Sequence, residues 1–197
     1  GVIGNVLAGS IAVNDNMFTV RDIMERSGRF QLEYYCIRPA KLFPDNDERV
    51  CIAIGKKGEP APLQTAKNRR FLAEERNTLF RDIEYSSSEG LLLGSRTGDP
   101  QGRIWPKIGD SITREILIVL RRFSERNRVI GDTTIRENGY NLQFRGSARY
   151  YIHALKVFPY DSSMIANLTF EKEVERDFVL LCLNSSLYYL YWCVYGN

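Results

Sequence analysis

Apolar and polar positions alternate with strand or helix period along most of the first 57 residues. Val2–Val13 reads as a buried strand with its exit loop. Asn14–Asn16 reads as a turn or cap. Over Phe18–Ser27, Val20, Ile23 and Met24 recur at helical spacing, and Gly28 follows as a stop signal. Phe30–Ile37 is rich in aromatic and β-branched residues and predicts a strand. Val50–Ile54 predicts another, with Val50, Ile52 and Ile54 on one face and the small Cys51 and Ala53 on the other. The segment 1–57 therefore predicts strand, helix and two further strands, the last pair joined by the loop PAKLFPDNDE.

Gly58–Pro62 (GEPAP) resists regular structure and is the best candidate linker, which places a domain boundary near 58/59. Beyond it, Phe71–Asp82 predicts a short helix. A turn-rich stretch, Ser86–Gly102, contains the apolar run Leu91–Leu93. Asp110 or Ser111 caps a helix to about Ser124 that buries Ile112, Ile116, Val119, Leu120 and Phe123. Tyr140–Phe144 and Tyr150–Val157 predict strands around the turn Arg145–Arg149, and Thr169 or a neighbour caps a final helical region of one or two buried helices. No internal repeat occurs. The pattern places the chain between α/β and α+β.

Composition adds limits. With 197 residues and 44% apolar content, the chain suffices for one domain or two small ones. No uninterrupted apolar run of ~20 residues occurs, so a membrane span is not expected. Cys36, Cys51, Cys182 and Cys193 form no CxxC pair, which argues against a zinc site and fits reduced thiols in a cytoplasm. The chain opens inside an apolar run and stops just after an aromatic-rich one, so a piece of a longer protein is expected. Net charge is only +3, but residues 100–160 carry eleven Lys/Arg against five Asp/Glu. That segment is a candidate polyanion-binding surface or an ordinary solvated face.

Self-sufficient chemistry is not evident. His153, the one histidine, lies in the alternating run YYIHALKVF and has no spaced Ser or Cys partner. Neither GxxxxGK[ST] nor GxGxxG occurs, and no carboxylate pair stands out as an acid/base couple.

Several segments in order carry a resemblance. These are the glycine-bearing run Gly1–Asp15, the helix with Val20-Arg21-Asp22, the loop and strand IRPAKLFPDNDERVCIAIGKK, and then FLAEERNTLF, IWPKIGD, FRGSARYYIHALKVFP and LNSSLYYLYWCVYG. The set resembles the latter half of a gamma-class N6-adenine DNA methyltransferase with a TaqI-like specificity domain, a group that includes bacterial restriction–modification fusions. The likeness implies that residues 1–58 are the C-terminal edge of a Rossmann-like catalytic sheet (strand, helix, hairpin). It implies that residues 59–197 are a mixed α+β target-recognition domain.

The family flips its target adenine out of the duplex, which costs a few kcal/mol, and an aromatic face returns ~1–3 kcal/mol by stacking on it. The aromatic of the family's Phe-Pro turn matches Phe43. Proline at position 44 restricts Phe43 to extended backbone; the alternative is that Phe43 caps the hydrophobic edge of the hairpin. Arg38 and Lys41 in the same loop are candidates for phosphate contact. In the recognition part the preferred patch is RGSARYY, with Arg145, Ser147 and Arg149; Lys107, after Pro106, is a second candidate. Trp105 is expected in the core.

The sequence departs from the whole enzyme in two places. The glycine-bearing motif for S-adenosylmethionine and the (Asn/Asp/Ser)-Pro-Pro-(Tyr/Phe) motif that grips the adenine amine are both absent; the only Asx/Ser-Pro pair is Asp99-Pro100, followed by Gln101. The expectation is a part that is inactive alone and binds no cofactor or metal, inside a protein that uses S-adenosylmethionine. Its partners would be double-stranded DNA and the N-terminal remainder of the same polypeptide. The competing reading is a stand-alone, non-catalytic nucleic-acid-binding or protein-interaction module.

Overall fold

The structure, a computed structural model, describes residues 1–94, 103–124, 130, 134–135, 138–146 and 152–196, with the backbone alone at 123 and 124. It is mixed α/β, with a mixed five-stranded sheet and a separate three-stranded sheet. Two compact units result: residues 1–121 with 193–197, and residues 122–192.

The first unit begins with β1 (Val2–Ala8), a short 3-10 turn at Gly9–Ala12, and helix α1 (Phe18–Ser27). Asn14 caps the approach to the helix, its Oδ1 accepting the Asn16 amide at 2.9 Å. Strands β2 (Gly28–Tyr35) and β3 (Val50–Lys57) follow, then β4 (Gln64–Arg69) and the two-residue β5 (Ser86–Ser87). The sheet order is β1-β3-β2-β4-β5. Because β3 runs antiparallel to both β1 and β2, those two run parallel to each other, and β4 is parallel to β2. Gly28 is needed by close approach: a Cβ there would meet the Lys56 carbonyl oxygen at 2.1 Å.

Alternation along β3 is as predicted. Cys51 and Ala53 join Leu32, Tyr34, Trp105, Ile108 and Leu117 in the main core; Val50 joins a smaller cluster with Tyr35, Phe71 and Leu79. Three expectations are corrected. Among the described residues strand β1 is a sheet edge paired only with β3, so Val2, Ile3 and Val6 are exposed rather than buried. The GEPAP segment separates no compact units, because β4, just beyond it, hydrogen-bonds to β2. The segment expected as a helix over 71–82 holds a 3-10 helix at Ala73–Thr78.

Helix α2 (Ser111–Ser124) starts where expected: the Asp110 carboxylate accepts from the Thr113 amide at 2.7 Å and from its hydroxyl at 2.8 Å. Its buried face is rotated from the expected one. Leu117 is buried while Ile112 and Val119 are exposed, because Arg114 and Arg121 hydrogen-bond the Ser87 and Leu92 carbonyls.

In the second unit, β6 (Tyr140–Arg145) lies between β7 (Ala154–Leu155) and β8 (Ile165–Phe170), antiparallel to both. Thr169 lies within β8 and caps no helix; the helices are α3 (Glu173–Leu183) and α4 (Ser186–Tyr195), the latter extending into the first unit. Leu142, Ala154 and Phe170 pack against Val179 and Leu183 of α3. Asn184 fixes the end of α3 to β7, donating to the Ala154 carbonyl at 2.9 Å and accepting its amide at 3.2 Å. These helices are only half buried, since Val174, Phe178 and Leu181 are exposed. Among the described residues no single helix is long and apolar enough to cross a membrane; α3 and α4 pass that test only together, across a 63° bend. No disulfide joins the four cysteines.

Candidate nucleic-acid interface

Strands β1, β2 and β4 run in one direction, so their carboxyl ends share one edge of the sheet. In open α/β sheets that edge is where ligands bind. The loop between β2 and β3 rises from it and carries Phe43. Its stem is anchored twice. The Ala40 amide donates to the Phe71 carbonyl at 3.1 Å, and an Arg76 Nη donates to the Lys41 carbonyl at 2.9 Å. Ala40 and Leu42 pack against the Tyr35–Val50–Phe71–Leu79 cluster. Phe43 then opens a turn, its carbonyl accepting the Asn46 amide at 3.1 Å, with Pro44 at the position proline favours. Apolar neighbours hold the loop down, and Phe43 stays 42% exposed.

Arg38 is exposed at the foot of this loop, and Lys41 is half-buried. Lys41 Nζ pairs with Asp47 at 2.5 Å, and that bond, with the nearby charge, holds the Asp47 carboxyl below its usual range. Part of the Lys41 charge is therefore already answered within the loop.

Lys107 is a correction. It is 5% exposed, and its ammonium donates to the Gly196 carbonyl and lies 5.8 Å from the Tyr34 ring centroid. It lines a void of about 10 Å³, with Gly9, Tyr34 and Arg49 among the other walls, which is room for one water at most. Burial, with Arg49 nearby, pulls its pKa down to about 8. An ammonium so enclosed offers nothing to a phosphate on the surface. Sequence reading missed this because Pro106 marks a turn but says nothing of depth.

Arg145 ends β6, half-buried, and among the described residues its Nε lacks a hydrogen-bond partner. Ser147 and Arg149, predicted beside it, lie outside the described residues, as do Tyr150 and Tyr151. His153 is exposed, and its carbonyl accepts the Arg145 amide at 3.0 Å. Elsewhere in the basic segment several charges are engaged internally. Arg103 pairs with Glu25 at 3.6 Å, and Lys156 pairs with Asp177 at 3.2 Å.

Two buried polar residues went unnoticed in the sequence. Arg21 of α1 donates through Nη1 to the Ile11 and Asn14 carbonyls at 2.6 and 2.7 Å, tying the loop after β1 to the helix. Its burial pulls the guanidinium below its ordinary range. Glu33 accepts from the Tyr35 and Tyr85 hydroxyls, and burial with those bonds raises both phenols. Alternation along β2 put Glu33 and Tyr35 on one face, which was the available signal.

Neither the glycine-bearing motif for S-adenosylmethionine nor the motif for the adenine amine occurs in the sequence. The chain matches no protein-family model and no curated protein.

Proposed function

We propose that this chain is the C-terminal part of a site-specific DNA adenine-N6 methyltransferase of a restriction–modification system. In this reading it contributes the end of the catalytic sheet and the DNA target-recognition part. The observation that carries the reading is the Phe43 ring, exposed on a turn whose stem is anchored by Ala40, Leu42 and Arg76, at the carboxyl edge of the sheet. A stacking platform needs that combination: a rigid support and a free face.

Two further observations support it. The order strand, helix, then hairpin (β1, α1, β2, β3) is what the resemblance implies for the end of the catalytic sheet. Among the described residues no strand pairs with the outer backbone edge of β1, and Val2, Ile3 and Val6 are exposed, as suits a strand that takes another segment of the same polypeptide alongside. Adenine would stack on Phe43, with Arg38 and Lys41 as contacts to the flanking phosphates, and Arg145, Ser147 and Arg149 are the candidate contacts to the recognition sequence. S-adenosylmethionine and the groups gripping the adenine amine belong to the remainder of the protein. The test is titration of duplex DNA with this chain over a range of salt: affinity that falls linearly on a log–log plot supports the reading, and no association at ~50 mM salt opposes it.

A further inference from the structure

The three-stranded sheet of the second unit has one face against α3, and among the described residues no helix covers the other. On that other face β6 and β8 place Gln143 directly opposite Asn167, with Asn141 opposite Thr169 one step along. A cleft of about 360 Å³ lies there, lined by Gln143, Asn167 and Ile165 on its floor and by Tyr160, Asp161 and the serines 162 and 163 on its wall.

The cleft is held in shape by its own bonds. The Gln143 Oε1 accepts the Phe158 amide at 2.6 Å, which fixes that side chain and leaves its NH₂ to donate elsewhere. The Ser162 carbonyl and hydroxyl accept the Ile165 and Met164 amides at 3.0 and 3.2 Å, holding the wall turn. Tyr160 is braced edge-to-face by the buried Phe158, with ring centroids 5.6 Å apart, and is itself half exposed. Asn167 is exposed on the floor.

We propose that this cleft binds an unpaired nucleobase. Among the described residues its lining includes no lysine or arginine and does include the Asp161 carboxylate, which disfavours a phosphate. It offers a braced aromatic face for stacking, donors on Gln143, and both a donor and an acceptor on Asn167, which together match the mixed edge of a base. The inference rests on the methyltransferase reading for the polymer that brings the base, and Phe43 is not among the residues that line the cleft.

The experiment uses the 197-residue chain and three duplexes: one fully paired, one with a single unpaired 2-aminopurine, and one with an abasic bulge at that position. Stacking and edge contacts predict that the 2-aminopurine bulge binds about 5- to 150-fold more tightly than the abasic one. Tyr160→Ala and Asn167→Ala, each checked for folding by circular dichroism, bring the ratio close to one. A wild-type ratio of one, or a ratio that survives both cleft variants, overturns the inference. So does Tyr160-dependent uptake of a neutral disaccharide in place of the oligonucleotide. If the paired duplex binds with its salt slope but the ratio is one, the cleft assignment fails and the methyltransferase reading stands. If only the bulged duplex binds, through Tyr160, the reverse holds.

Discussion

The Trp105 indole N–H donates to the Glu25 carboxylate of α1 at 2.6 Å, across eighty residues of sequence. Trp105 is fully buried among Leu32, Tyr34 and Ile108, so the segment after GEPAP completes the core that β1–β3 begin. Trp105→Phe keeps the aromatic packing but leaves the carboxylate without this donor. It is expected to cost ~2–3 kcal/mol in denaturant unfolding. For the same reason residues 1–58 expressed alone are expected to show no cooperative thermal transition by circular dichroism. A sharp transition there would mean that β4 and Trp105 are dispensable.

Lys107 predicts a pH dependence. Its folded pKa is depressed from 10.5 to about 8, first of all by burial. Below pH 8 both states hold the proton, and burying the charge costs the fold in full. Between pH 8 and 10.5 the unfolded chain binds more proton, so this residue's contribution to stability rises with pH; above 10.5 the penalty is gone. The stability of wild type relative to Lys107→Met is expected to rise by ~3 kcal/mol across that window. The difference is the quantity to measure, because Cys51, pushed up to about 12 by burial, acts in the opposite direction. A flat difference from pH 7 to 10.5 would contradict the buried ammonium.

The same burial separates two cations that look alike in the sequence. Arg38→Ala is expected to lower the log–log salt slope of duplex binding by about 1, the change for one phosphate no longer neutralised. Lys107→Met is expected to leave the slope unchanged. Equal effects of the two would show that exposure does not decide which cation meets DNA.

Local patterns made some elements legible and hid others. Strands β1–β3 and helix α1 follow from period and stop signals that need no distant partner. Strand β4, QTAKNR, has no apolar alternation; Thr65 and Ala66 are buried because β2 and β5 flank them, a fact set by the sheet. Strand β8 does alternate, with Leu168 and Phe170 toward the α3 core and Asn167 exposed, but Thr169 ahead of an acidic run also reads as a helix cap. The choice between those signals depends on β6 lying alongside. On α2, helical spacing was right and the face was rotated, since Arg114 and Arg121 are drawn to carbonyls far away in sequence. The Phe43 turn was legible through Pro44; its anchoring by Phe71 and Arg76 was not.

In the proposed function Phe43 is the landing surface for an extruded adenine, and the most direct measurement compares turnover with affinity in the whole methyltransferase which that proposal implies. Phe43→Ala is expected to reduce methyl transfer to duplex DNA about 5- to 150-fold, the worth of one stacked base, while duplex affinity stays within about twofold. Unchanged methyl transfer, or a loss of activity that only tracks a loss of folded protein, would make Phe43 a packing residue and contradict the account.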